Sequence, residues 1–167
     1  MKNKFIKECV WIIVILIVSI LTGTVLMIAS YALPTEPMKM HARETISMMA
    51  DEGDDYKWIL KDFTSMAANF TDSLMINTAV YDGKESLLEK ALLNPRTNYA
   101  EGTQTRKLIN ALQDVPGGDA FTYGRYWHGY LVILKPLLFI FNYLYIRLDE
   151  SSSQYHYEKF HNYSNYF

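Results

Sequence analysis

Two dense apolar blocks, one near each end of the chain, enclose a middle in which polar and apolar residues recur at helical spacing. The first block, VWIIVILIVSILTGTVLMIASYA, runs from Val10 to Ala32 without a charge. About 20 apolar residues suffice to cross ~30 Å of hydrocarbon at ~1.5 Å per residue, so a transmembrane helix is predicted over 10–32. Pro34 and Pro37 follow it and end the helix, because each lacks an amide donor and disfavours helix in the residue before it.

The middle, residues 33–129, reads as a helical domain. Ile59, Phe63, Met66, Phe70 and Leu74 recur three and four apart and predict one stripe of a helix over about 55–80, with Asp62, Ser65, Asn69 and Asp72 on a second, polar stripe. Asp82-Gly83-Lys84-Glu85 suggests a turn and a capping box, Asp82 as N-cap, ahead of Leu87, Leu88, Ala91 and Leu92. Asn94-Pro95 would stop that helix. A further amphipathic run carries Leu108, Ile109, Leu112 and Val115, and Pro116-Gly117-Gly118-Asp119 breaks it. No alternating β-branched run competes, so the fold class expected is all-α.

The second apolar block follows an aromatic cluster. Tyr123, Tyr126, Trp127 and Tyr130 stand at i, i+3, i+4 and i+7, and Tyr143 and Tyr145 lie close to Arg147 at the far end. Aromatic rings are enriched at headgroup depth, so belt, apolar run and belt predict a second, shorter transmembrane helix over 130–147. Lys135 would lie about one turn inside the outer face and extend its ammonium toward the headgroups. The competing reading places 131–146 in the core of the exported domain.

Charge sets the orientation. Lys2, Lys4 and Lys7 precede the first block, whereas Glu36, Asp51, Glu52, Asp54 and Asp55 follow it. The positive-inside bias puts residues 1–9 in the cytoplasm, the helical domain outside and the polar tail 148–167 inside, in a cell membrane. Ser30-Tyr31-Ala32 also offers a cleavable pattern, but the apolar run exceeds the usual core of a signal peptide. A net charge of -2 provides no basic face for nucleic acid. The one cysteine, Cys9, admits no internal disulfide and no cysteine-based metal site, and no pair of His residues stands at metal-ligand spacing before the tail; neither a metal nor a cofactor is expected.

Candidate chemistry is sparse. Asp51 and Glu52 open an acidic run that could act as a base or hold a cation, although it lacks the alternating ligands of a calcium loop. Asp72 beside Asn69 could line a cleft for acid-base work or sugar hydroxyls, but every amphipathic helix has a polar side, and a solvated face is the expectation. Arg125 and His128 would meet at the outer mouth of the second block, the Arg suited to phosphate or carboxylate and the His to proton transfer. No Gly-x-Ser-x-Gly elbow and no phosphate-cradling glycine loop occurs.

Asn69-Phe70-Thr71-Asp72-Ser73-Leu74-Met75-Ile76-Asn77 and Tyr123-Gly124-Arg125-Tyr126-Trp127-His128-Gly129-Tyr130 resemble the N-terminal part of a group of multi-pass bacterial membrane proteins, over residues 1 to 147. In layout that group is similar to membrane glycosyltransferases that take sugars from lipid carriers. The resemblance implies carboxylate roles for Asp51, Glu52 or Asp72 and a lipid phosphate facing Arg125. Such enzymes need many further helices to enclose a site, and here the chain continues as ESSSQYHYEKFHNYSNYF. The expectation is therefore an integral membrane protein with an accessory or interaction role at the cell envelope, its partners the lipid bilayer, other membrane proteins or a lipid-linked ligand. The alternative is the N-terminal part of a polytopic transferase for cell-surface polysaccharide.

Overall fold

Uncharged Val, Ile and Leu from Val10 onward give an unbroken helix, and the structure, a computed structural model, extends it from Lys2 to Tyr31 (α1). The residues described are 2–52, 57–58, 66–67, 69–124, 128–143 and 145–146. From Ile6 to Tyr31, α1 is long and apolar enough to cross a membrane. Val10 to Leu21 leave their side chains exposed, whereas Met27, Ser30 and Tyr31 enter the protein core.

Pro34 breaks the chain, but Pro37 does not. It sits in the first turn of a second helix, Thr35–Glu52 (α2), where an amide donor would have no intrahelical partner. The helix expected over 55–80 begins only at Asn69 and ends at Ala79 (α3). Before it, Lys57–Trp58 (β1) and Met66–Ala67 (β2) pair antiparallel, Lys57 opposite Ala67. Trp58, an aromatic residue that favours extended backbone, lies in β1, so at this position that preference prevails over the helical spacing of the apolar residues. Asp54, Asp55, Ile59, Asp62, Phe63 and Ser65 lie outside the described residues.

Leu87–Leu93 (α4) carries a capping box one turn later than expected. Ser86 is the N-cap, its hydroxyl accepts from the Glu89 amide, and the Glu89 carboxylate accepts from the Ser86 amide at 2.9 Å. Asn94 closes the helix in the left-handed conformation, φ 48°. Arg96–Asn98 (β3) then pairs antiparallel with Asp119–Phe121 (β4), Thr97 opposite Ala120. Gln104–Leu112 (α5) lies between them and buries Leu108 and Leu112. The protein is thus mostly helical, with two short two-stranded ribbons among the described residues.

The second apolar block is helical over Leu131–Ile140 (α6), ten residues or ~15 Å. Phe141 turns extended and ends it, so 130–147 is not one continuous helix. α6 packs on α1 and α2 and buries Leu131, Leu134, Lys135 and Leu138. Tyr143 is buried in the same core, whereas Tyr145 is exposed.

Candidate functional site

Three side chains donate to carbonyls at helix C-terminal turns, where the last carbonyls lack intrahelical donors. Lys135 is fully buried, and its ammonium donates to the Ala79 carbonyl at the end of α3 (2.6 Å) while lying 4.6 Å from the centre of the Tyr31 ring. Lys135 therefore points into the protein, not outward to headgroups. Arg43 Nε donates to the Leu112 carbonyl at the end of α5 (2.7 Å). His41 Nδ1 lies 2.8 Å from the Leu138 carbonyl near the end of α6. Since a carbonyl only accepts, this nitrogen carries the proton. Each donor complements the partial negative charge of the helix end it reaches.

Lys39, one turn before Arg43 on α2, organises the nearby cleft. Its Nζ lies 3.2 Å from Asp82 Oδ2 and 3.2 Å from Asp114 Oδ1, with Glu36 at 3.6 Å, and Arg43 stands 3.6 Å from the other Asp114 oxygen. Burial alone would lower the Lys39 ammonium, but the hydrogen bonds to Asp82 and Asp114 outweigh it and hold the group above its ordinary value. Around this cluster opens a cavity of about 280 Å³, also lined by Tyr81, Gly83, Thr97 and Asp119. Tyr81 donates to Glu85 at 2.7 Å. Burial first, then that bond and the carboxylate charges of Glu85 and Asp82, push its phenol well above the usual range. A side chain at Gly83 would overlap the Tyr81 hydroxyl, so the close approach requires glycine there.

Thr97, which lines this cavity, is held by Asn77. Its amide donates to the Thr97 carbonyl at 2.9 Å and accepts from the Thr97 amide at 3.1 Å, filling the place of a neighbouring strand beside β3. Asn69 and Ser73 precede it at four-residue steps on the same buried face, and Ser73 meets the Thr105 hydroxyl at 3.1 Å. The polar stripe expected to face water thus faces inward at Asn69, while Phe70 is exposed. At Ser73 and Asn77 the reason is α5 and the adjacent ribbon, whose Thr105 hydroxyl and Thr97 backbone satisfy the two side chains.

A second, apolar groove of about 630 Å³ runs between α1, α4 and α6, lined among others by Gly23, Met27, Leu92, His128 and Ile133.

No protein-family model, curated protein or solved structure matches this chain.

The residues singled out from sequence are scattered over the fold. Asp51 is exposed near the end of α2, whose last residue is Glu52. Asp72 lies in the first turn of α3. None of the three lines the polar cavity. His128 lies before α6 at the apolar groove, its ring 6.0 Å from that of Tyr130. Arg125, Tyr126 and Trp127, like the tail 148–167, lie outside the described residues. Sequence reading missed Lys39, His41 and Arg43. Their spacing of two and four on a helix just after the apolar block was the available signal, hidden by treating Pro37 as a stop.

Proposed function

We propose that this protein is a membrane-anchored accessory component of the cell envelope, with α1 as an uncleaved anchor, its N-terminus cytoplasmic, and the helical domain presented on the outer side. The observation that carries the reading is the division of α1: an apolar length that packs against almost nothing, continuous with Met27, Ser30 and Tyr31, which are core residues of the domain. Cleavage after Ala32 would remove those side chains from the core, which argues for an anchor and against a leader. An interaction role accords with a polar cavity whose buried ammonium, that of Lys39, is already neutralised by Asp82 and Asp114.

For the second apolar block we favour the core helix over a second span. Ten residues fall short of the ~20 needed to cross, and Lys135 is committed to Ala79 inside the domain. The tail 148–167 then stays on the same side as the domain. Gln113→Cys and Ser152→Cys, each in the full chain with Cys9 retained, test this in intact cells. An impermeant maleimide should modify both new positions and spare Cys9. Protection at position 152 with labelling at 113 would restore the second span over 130–147, and labelling of Cys9 would overturn the cytoplasmic N-terminus.

The competing reading, the N-terminal part of a polytopic transferase using a lipid-linked sugar, draws on one observation: the apolar groove with His128 at its edge beside α1. A continuation of the coding sequence into further hydrophobic helices would favour it.

A further inference from the structure

The anchor is shorter than it looks. The domain grips the upper end of α1 from Gly23 to Tyr31: Gly23, Leu26 and Met27 line the groove with α4 and α6, and the Tyr31 hydroxyl reaches Asn94 at the end of α4 (3.4 Å). Below that grip, the uncharged free length from Val10 to Thr22 is about 13 residues, or ~20 Å. The hydrocarbon to be crossed is ~30 Å, and any tilt increases the shortfall. About 10 Å of the gripped segment must therefore lie at lipid depth, together with whatever part of the domain flanks it.

The flanking surface suits that depth. Leu92 on α4 is 62% exposed and Ile133 on α6 is 65% exposed, although both line the groove against α1. Leu88 and Leu93 on α4 and Val25 and Leu26 on α1 are exposed as well. A contiguous apolar surface of this kind on a water-facing domain marks a partner or a membrane. Here it is continuous with the bare face of α1, the part of the molecule read as lying in lipid. α6 starts at the groove beside Gly23 and passes Tyr31 at Lys135 before reaching α2 at Leu138, so its first turn and His128 lie lowest. Those residues would sit at the boundary of hydrocarbon and headgroups, a depth typical of interfacial helices, which bury ~5–10 Å.

We infer that the exposed face of α4 and the first turns of α6 is immersed in the outer leaflet beside α1, so that the domain rides in the bilayer surface and its apolar groove opens onto lipid chains. This rests on the reading of α1 as the anchor.

Single-cysteine variants of the full chain in a Cys9→Ser background, labelled with an environment-sensitive fluorophore and reconstituted into phosphatidylcholine vesicles, separate the two claims. Labels at Leu92→Cys and Ile133→Cys should be severalfold less accessible to iodide than one at Gln113→Cys. They should also be quenched more by a lipid spin-labelled high on its acyl chain than by one labelled near the chain end. A label at Val18→Cys should show the opposite preference, for the deep quencher. If positions 92 and 133 are open to iodide while 18 is deep, the immersion is wrong and the anchor stands. If 18 is open to iodide, the anchor reading falls and the immersion with it. Shielding of 92 and 133 from iodide and from both spin-labelled lipids would mean that protein covers the face, and would overturn the inference.

Discussion

Replacing Lys135 with methionine removes a buried cation while nearly keeping its volume. In the folded protein, burial pushes this ammonium down to about 8, with the Lys90 charge adding to the effect. Set against the ordinary 10.5, and at ~1.4 kcal/mol per unit, the charged form carries a penalty of about 3 kcal/mol in the native state. Below pH 8 both folded and unfolded chains hold the proton, so the penalty is present in full. Between pH 8 and 10 the folded chain releases the proton and the unfolded chain keeps it. Stability from this group therefore rises with pH, by about 2 kcal/mol over that window. Above pH 10 the buried Tyr81, which keeps its proton in the fold, works in the opposite direction. The Lys135→Met chain loses the hydrogen bond to Ala79, leaving a helix-end carbonyl without its donor at about 1–3 kcal/mol. The net expectation at pH 7 is a protein between unchanged and about 2 kcal/mol more stable, without the wild-type rise between pH 8 and 10. Thermal unfolding of both chains in a nonionic detergent, followed by near-ultraviolet circular dichroism, measures this, with the wild-type midpoint gaining about 5–10 °C relative to the variant across the window. Equal pH slopes in the two proteins would refute the reasoning, and so would a variant several kcal/mol less stable at pH 7.

Met27→Ala should destabilise the domain by about 2–4 kcal/mol, because a core contact is lost although the residue belongs to the apolar helix; detergent-solubilised unfolding would show it, whereas the same change at Val18 should have little effect. Asn77→Ala should cost about 2–3 kcal/mol and release the Thr97 amide to hydrogen exchange, since one side chain satisfies both Thr97 backbone groups. Ser86→Ala removes the N-cap of α4 and should lower stability by about 1 kcal/mol, read as a drop in the unfolding midpoint.

Legibility in the sequence followed the kind of signal each element carries. α1 was plain because an uncharged run of Val, Ile and Leu has few alternatives. The stop at Asn94-Pro95 was plain as well, since the left-handed cap is a local event. Ser86 and Glu89 form a capping box that the sequence spells out, but Asp82 and Glu85 spell an equivalent one four residues earlier, and only packing distinguishes them. The inward face of α3 could not be read at all from periodicity. Ser73 and Asn77 look like part of a wet stripe until α5 and β3 supply their partners. α2 was lost because a proline in a first helical turn and a proline after a helix look alike in one dimension. Hydropathy assigns Lys135 to the interface, because it cannot show that a helix terminus elsewhere in the chain needs a donor; its partner Ala79 is 56 positions distant.

The donors on α2 also set a timetable for synthesis. His41 must wait for Leu138, 97 residues later, and Arg43 for Leu112, 69 residues later. At ~5–20 residues per second, α2 spends on the order of 5–20 seconds without the element that closes over it. On the reading of α1 as an anchor, that helix would already be available to the membrane throughout the interval, and the nascent domain would assemble tethered, with α6 still to arrive.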